Sequence, residues 1–139
     1  MISPTAPVIM VVEGGEKMKL DFDCIREVLF AVEAQTGYQK PTNAYAIAEK
    51  VNKYDFEVVM YHLNQCELYG FFTDVRHYQN GDDDMTIIDL SPKGHEFIRN
   101  IRSDNVWNSL KGIIGKAGTV SVSLLLKIAE KYLMSYLFP

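Results

Sequence analysis

An α+β domain built mostly of helices is what this sequence predicts, and three observations carry it. From Asp55 to about Tyr69, apolar residues recur at helical spacing, with Phe56, Val59, Met60, Leu63 and Cys66 on one side. Directly after Gly70, Phe71, Thr73 and Val75 alternate with Phe72, Asp74 and Arg76; Thr86-Ile87-Ile88-Asp89-Leu90 then returns across an Asn80-Gly81 turn. Helix-period stretches flank this unit on both sides. A helix leading straight into a β-hairpin, set among other helices, is the outline of a winged helix-turn-helix, here with two additional C-terminal helices.

The elements follow in order. Residues 1–17 are expected to be a poorly ordered leader. Glu13-Gly14-Gly15-Glu16-Lys17 is what purine-rich codons of a ribosome-binding site would encode, which makes Met18 the expected natural start. Asp21 caps a predicted helix from Phe22 to about Thr36, with Phe22, Ile25, Val28, Leu29 and Val32 as its stripe and Gly37 as its stop. Tyr38-Gln39-Lys40-Pro41 reads as extended, because a residue before proline avoids the helical region. Thr42-Asn43 caps a short helix, Ala44 to about Lys53, that buries Ile47, Ala48 and Val51. A tight turn leads to Asp55, the expected cap of the next helix.

After the hairpin, Ser91 is an N-cap and Pro92 takes the first helical position, where its missing N–H costs nothing. That helix carries Phe97, Ile98 and Ile101 inward and ends near Arg102. Residues 18–102 thus form the expected winged-helix domain and 103–139 a pair of C-terminal helices. Ser103-Asp104 opens a short helix holding Val106, Trp107 and Leu110, and Gly112, Gly115 and Gly118 read as a flexible link. Ser121 opens the last helix, whose core stripe is Val122, Leu125, Leu126, Ala129, Tyr132, Leu133 and Tyr136. Leu124, Ile128, Met134 and Phe138 lie outside that stripe and are the expected dimerisation residues of a homodimer. Lys127 and Lys131 make too weak a basic face for a membrane-surface helix.

The bulk properties narrow the function. The apolar fraction of 47% and charged fraction of 23% are those of an ordinary globular domain. Two cysteines, Cys24 and Cys66, both at helical apolar positions, read as buried free thiols of a cytoplasmic protein rather than a disulfide scaffold. With no apolar run of about 18 residues, no membrane span is expected. His62 and Cys66 stand four apart, but further ligands at metal-site spacing are missing. Asp82-Asp83-Asp84 lacks the spaced acids and closing glutamate of a calcium loop, and reads as a solvated turn. Neither a phosphate-cradling glycine loop nor a nucleophile elbow is present, so no enzyme, cofactor or metal is expected.

Leu90-Ser91-Pro92-Lys93-Gly94 resembles the "leucine, small hydroxyl, x, lysine, glycine" signature that closes the wing in many winged-helix transcription regulators. His62-Leu63-Asn64-Gln65-Cys66-Glu67-Leu68-Tyr69-Gly70-Phe71-Phe72 resembles the end of their recognition helix and the start of the wing. With Met18-Lys19-Leu20-Asp21, these segments are similar to a bacterial and prophage family known as a domain of unknown function, family 2513. That resemblance implies the fold and a phage or bacterial setting. The wider one implies DNA binding through the Asp55–Tyr69 helix.

Charge opposes the second implication. Between Asp55 and Leu90, eight carboxylates face one base, Arg76, leaving −7 with histidines neutral; Met1–Tyr54 carries −1 and Ser91–Pro139 +4. DNA affinity comes largely from Lys and Arg displacing counterions from phosphates. The helix face opposite the core stripe holds Val58, Tyr61, Gln65, Leu68 and Tyr69, flanked by Glu57, His62 and Asn64. Gln65 and Asn64 suit adenine edges; Tyr61 and His62 suit phosphates. Lys40, Asn43, Lys50, Lys53, Arg76 and Asn80 complete the expected contact set for DNA or, alternatively, for a protein partner docking on the acidic wing and tyrosine-bearing helix. Tyrosine-rich, partly apolar surfaces are enriched in such interfaces.

Overall fold

A computed structural model describes residues 18–78, 84–117 and 121–138. Among the described residues there are six helices and a small antiparallel sheet: α1 (Phe22–Gln35), β1 (Thr42–Asn43), α2 (Ala44–Lys50), α3 (Phe56–Leu68), β2 (Val75–His77), β3 (Met85–Ile87), α4 (Pro92–Ile101), α5 (Asp104–Ala117) and α6 (Val122–Leu137). The fold is therefore α+β and mostly helical, as expected. The expected leader 1–17, the Asn80-Gly81 turn, Asp82, Asp83 and Gly118 lie outside the described residues.

Local chemistry sets most boundaries. Asp21 caps α1 by accepting from the Asp23 and Cys24 amides at 2.9 and 3.2 Å. Asn43 caps α2 through the Ala46 amide, and Ser91 caps α4 through the Gly94 amide. Asp55 stands at the N-cap of α3, yet its side chain makes no capping bond. Buried side chains from all six helices and β3 form one core, which runs without interruption from Cys24 on α1 to Ala129 on α6.

Three expectations need correction. Tyr38-Gln39-Lys40 is a tight turn and not an extended run: Gly37 and Lys40 exchange both backbone hydrogen bonds at 3.0 Å, and Gln39 takes a left-handed φ of 56°. The sheet has three strands rather than two. β1 pairs with β3 (Thr42↔Ile87, Asn43↔Thr86) and β3 with β2 (Val75↔Ile87, Arg76↔Thr86, His77↔Met85), giving the order β1-β3-β2. Phe72 and Leu90 extend the ribbon only as an isolated bridge. Finally, α5 does not break at Gly112 and Gly115 but continues to Ala117. A glycine inside a helix costs about 1 kcal/mol, and the buried series Val106, Trp107, Leu110 and Ile114 offsets it.

The Leu90–Gly94 segment has a packing reason. The Ser91 amide donates to the Phe71 carbonyl at 2.8 Å, and its hydroxyl donates to the Gly70 carbonyl. A Cβ on Gly94 would lie 2.3 Å from the Phe71 carbonyl oxygen, so only glycine lets α4 approach the end of α3 this closely. Gly70 turns the chain there with φ +80°.

Candidate nucleic-acid or partner interface

The surface in question is the outer side of α3 with the ribbon beside it. Val59, His62, Leu63 and Cys66 face the core, which turns Glu57, Tyr61, Asn64 and Leu68 outward at the three- and four-residue spacing of one helix face. Tyr61, Asn64 and Gln65 are half-buried and Leu68 is 77% exposed, whereas Val58 and Tyr69, expected on the outward face, are partly buried against the core. A solvent-facing leucine of this extent at a helix end is a candidate contact point, though a single one is also ordinary surface.

His62 does not belong to that surface. It is fully buried, with Nδ1–H donating to the Val58 carbonyl at 2.8 Å and Nε2 accepting the Asp21 amide at 2.9 Å. Both ring nitrogens are therefore occupied, Nδ1 within α3 and Nε2 in fastening α3 to the start of α1, and none is left for phosphate or partner. Burial lowers the pKa of His62, against the opposing pull of the Val58 bond and Asp21, and keeps the ring neutral. The spacing of His62 put it at the edge of the outward face; the packing of α1 on α3 is what covers it.

The expected cations divide into two groups. Lys53 is exposed but bonded to Glu27 on α1; that hydrogen bond and charge raise its pKa. Arg76 sits 3.8 Å from Asp74, and His77 Nε2 lies 2.8 Å from Glu67, tying β2 to α3. Lys40, on the Gly37–Lys40 turn, and Lys50, at the end of α2, are exposed and enter no ion pair among the described residues. Asn43 uses its side-chain oxygen as the α2 cap, and Asn80 lies outside the described residues.

One carboxylate of the acidic tip faces inward. Asp84 Oδ1 accepts from the Ala44 amide at 3.1 Å and from the Met85 amide at 2.8 Å, so it holds the base of β3 against the first turn of α2. Sequence spacing could not have found that bond, since the two residues lie 40 positions apart. Of the basic C-terminal third, Lys93 reaches the end of α3, with its ammonium 6.0 Å from the centre of the Phe71 ring. Helix α6 packs on α4 and α5, and Arg102 and Lys111 are paired with Glu33 and Asp23.

On α6 Leu124 and Met134 are exposed, as is Phe138 at its C-cap, at 70%. Ile128, expected with them at a dimer face, is instead partly buried against the chain's own core, because it lies at the edge of the stripe made by Val122, Leu125 and Ala129. Cys24 and Cys66 are both buried and free, and burial raises both thiols, Cys24 to about 12. Such thiols are poor nucleophiles. Among the described residues, no group of three or more His, Cys, Asp or Glu could hold a metal, and no helix is long and apolar enough to cross a membrane.

Comparison with known proteins adds a family. An "Uncharacterized protein" of Haemophilus influenzae is 27% identical over 114 residues, covering 81% of this chain and 93% of the relative. No solved structure matches. The model of the family described as "Hypothetical protein (DUF2513)" matches residues 19–121, from just before α1 to the cap of α6. The Asp21 cap, the outward face of α3, the ribbon and the Ser91–Gly94 seam all fall within that span, and the chain belongs to this family.

Proposed function

We propose that this chain is a winged helix-turn-helix protein that binds duplex DNA through α3, as a bacterial or prophage transcriptional regulator. The observation that carries the reading is topological: α1, β1, α2, α3, β2, β3 in sequence, with the last strand in the middle of the sheet. Short helices α2 and α3 joined by a tight turn, with a ribbon after the second, match the helix-turn-helix plan. Asn64 and Gln65 supply amides suited to adenine edges, Tyr61 a hydroxyl for phosphate, and Lys40 and Lys50 the unpaired cations.

A salt series on duplex DNA tests it. Affinity is expected to fall steeply as salt rises, in proportion to the phosphates neutralised. Gln65→Ala is expected to relax sequence preference, whereas Lys50→Ala weakens all duplexes about equally. Absence of binding at low salt to mixed-sequence DNA and to the DNA upstream of the protein's own gene would overturn the proposal. One observation favours a second reading, a protein-docking module of the same fold: Lys53, Arg76 and His77 are each held by a neighbouring carboxylate, while Leu68 is left bare. Under that reading a basic partner, not DNA, binds the α3 face.

A further inference from the structure

Two helix faces are left open among the described residues, and they match each other. On α3, Glu57, Tyr61, Asn64 and Leu68 form the outward stripe. On α6, Lys127, Lys131 and Met134, with Phe138 at the C-cap, do the same, opposite the buried stripe Val122, Leu125 and Ala129. Both stripes repeat at intervals of four, three and four, the spacing at which two helices pack along a seam. Laid parallel at a constant offset of 70 positions, they set Glu57 against Lys127 and Tyr61 against Lys131. The same register sets Asn64 against Met134 and Leu68 against Phe138. Charge meets opposite charge, a cation meets an aromatic ring, and the two most exposed apolar side chains of the pair of helices meet each other.

Among the described residues the chain does not make this contact with itself. Helix α6 packs through its inner stripe on α4 and α5, which turns the Lys127–Phe138 stripe away from the molecule's own body. Glu57, Lys127 and Lys131 enter no ion pair among the described residues. We infer that the α3 face is covered by α6 of a second copy of this chain. Made reciprocally about a two-fold axis, the contact occurs twice and closes a dimer. The inference goes beyond DNA reading and does not depend on it. Where α3 does read DNA, the same face cannot serve both, so self-association and DNA binding compete.

The test is the molar mass of the full chain in solution, by light scattering across a concentration series. A dimer is expected at low salt, weakening by about tenfold or more toward about 0.5 M salt as the ion pairs are screened. Lys127→Glu with Lys131→Glu is expected to give a monomer, and adding Glu57→Lys to that chain to restore association. Leu68→Ser is expected to give a monomer as well. These positions are on the surface, and circular dichroism is expected to report an unchanged fold. A wild-type monomer at low salt overturns the inference. So does a double lysine variant that associates as wild type. Loss of association in Phe138→Ser with none in Leu68→Ser would mean that α6 pairs with α6, and would overturn it too.

Discussion

At the scale of single residues, His62 has a role that its position in a helical repeat does not suggest. Its ring is a bridge between two backbones, accepting from Asp21 and donating to Val58, and it can do both only when neutral. Burial lowers its pKa in the folded chain, whereas the unfolded chain takes up a proton near the reference value of about 6.5. The stability this group contributes is therefore fully present above that reference value. It is lost as pH falls from there toward the lower folded value, because the unfolded state binds the proton first. Urea unfolding of the wild type and of His62→Gln between about pH 8 and about pH 5 checks this, with the window set by the reference value. The wild type is expected to lose more stability on acidification than the variant; equal slopes would show that His62 does not titrate on unfolding. Asp23 is the opposite kind of residue. Burial pushes its carboxyl up, but the Trp107 indole at 2.7 Å and the Lys111 ammonium at 3.1 Å outweigh that and hold it below the ordinary value.

At the scale of elements, caps and stripes were legible, and interruptions were not. Asp21, Asn43 and Ser91 open their helices as their side-chain chemistry dictates. β1 escaped notice because two residues carry no period; Thr42 is held by its pairing to Ile87 and by its hydroxyl bond to Gln35 at 2.6 Å. Glycines at 112 and 115 looked like a link because glycine weakens an isolated helix, yet α5 is not isolated. Its inner face is pinned by the Trp107–Asp23 bond and by Ile114 in the core. Both glycines have open space where a Cβ would stand. Gly112→Ala and Gly115→Ala are each expected to stabilise the protein by about 0.5–1 kcal/mol, through the restricted unfolded chain. Thermal unfolding reads this as a rise of a few degrees. A fall would mean that the helix is broken there in solution.

At the scale of the molecule, the C-terminal helices are fastened to the N-terminal one. Arg26 is the fastening point: from α1 it donates to the Ile101 and Arg102 carbonyls at the end of α4 and to Asp104 at the start of α5. Its guanidinium also lies over the rings of Phe30 and Trp107. Val122, Leu125 and Ala129 of α6 are fully buried in the same core. Deleting residues 121–139 is therefore expected to do more than abolish self-association. Exposing what two such large apolar side chains covered costs about 3–5 kcal/mol, seen as a lower urea midpoint in a single transition. An unchanged midpoint would mean that α6 is an appendage of an independently stable body.

Taken alone, the sequence determined where the helices begin, the capping role of Asp21, Asn43 and Ser91, and the ribbon after Gly70. Each of these follows from neighbours within a few residues, through period and capping chemistry. Tertiary structure alone decided that His62 is inside, that Asp84 is bonded to α2, that Lys53 is bonded to Glu27 and that β1 joins the sheet. Those contacts join positions 26 to 45 residues apart, and whether a polar group meets water or a distant backbone is settled only when the helices pack.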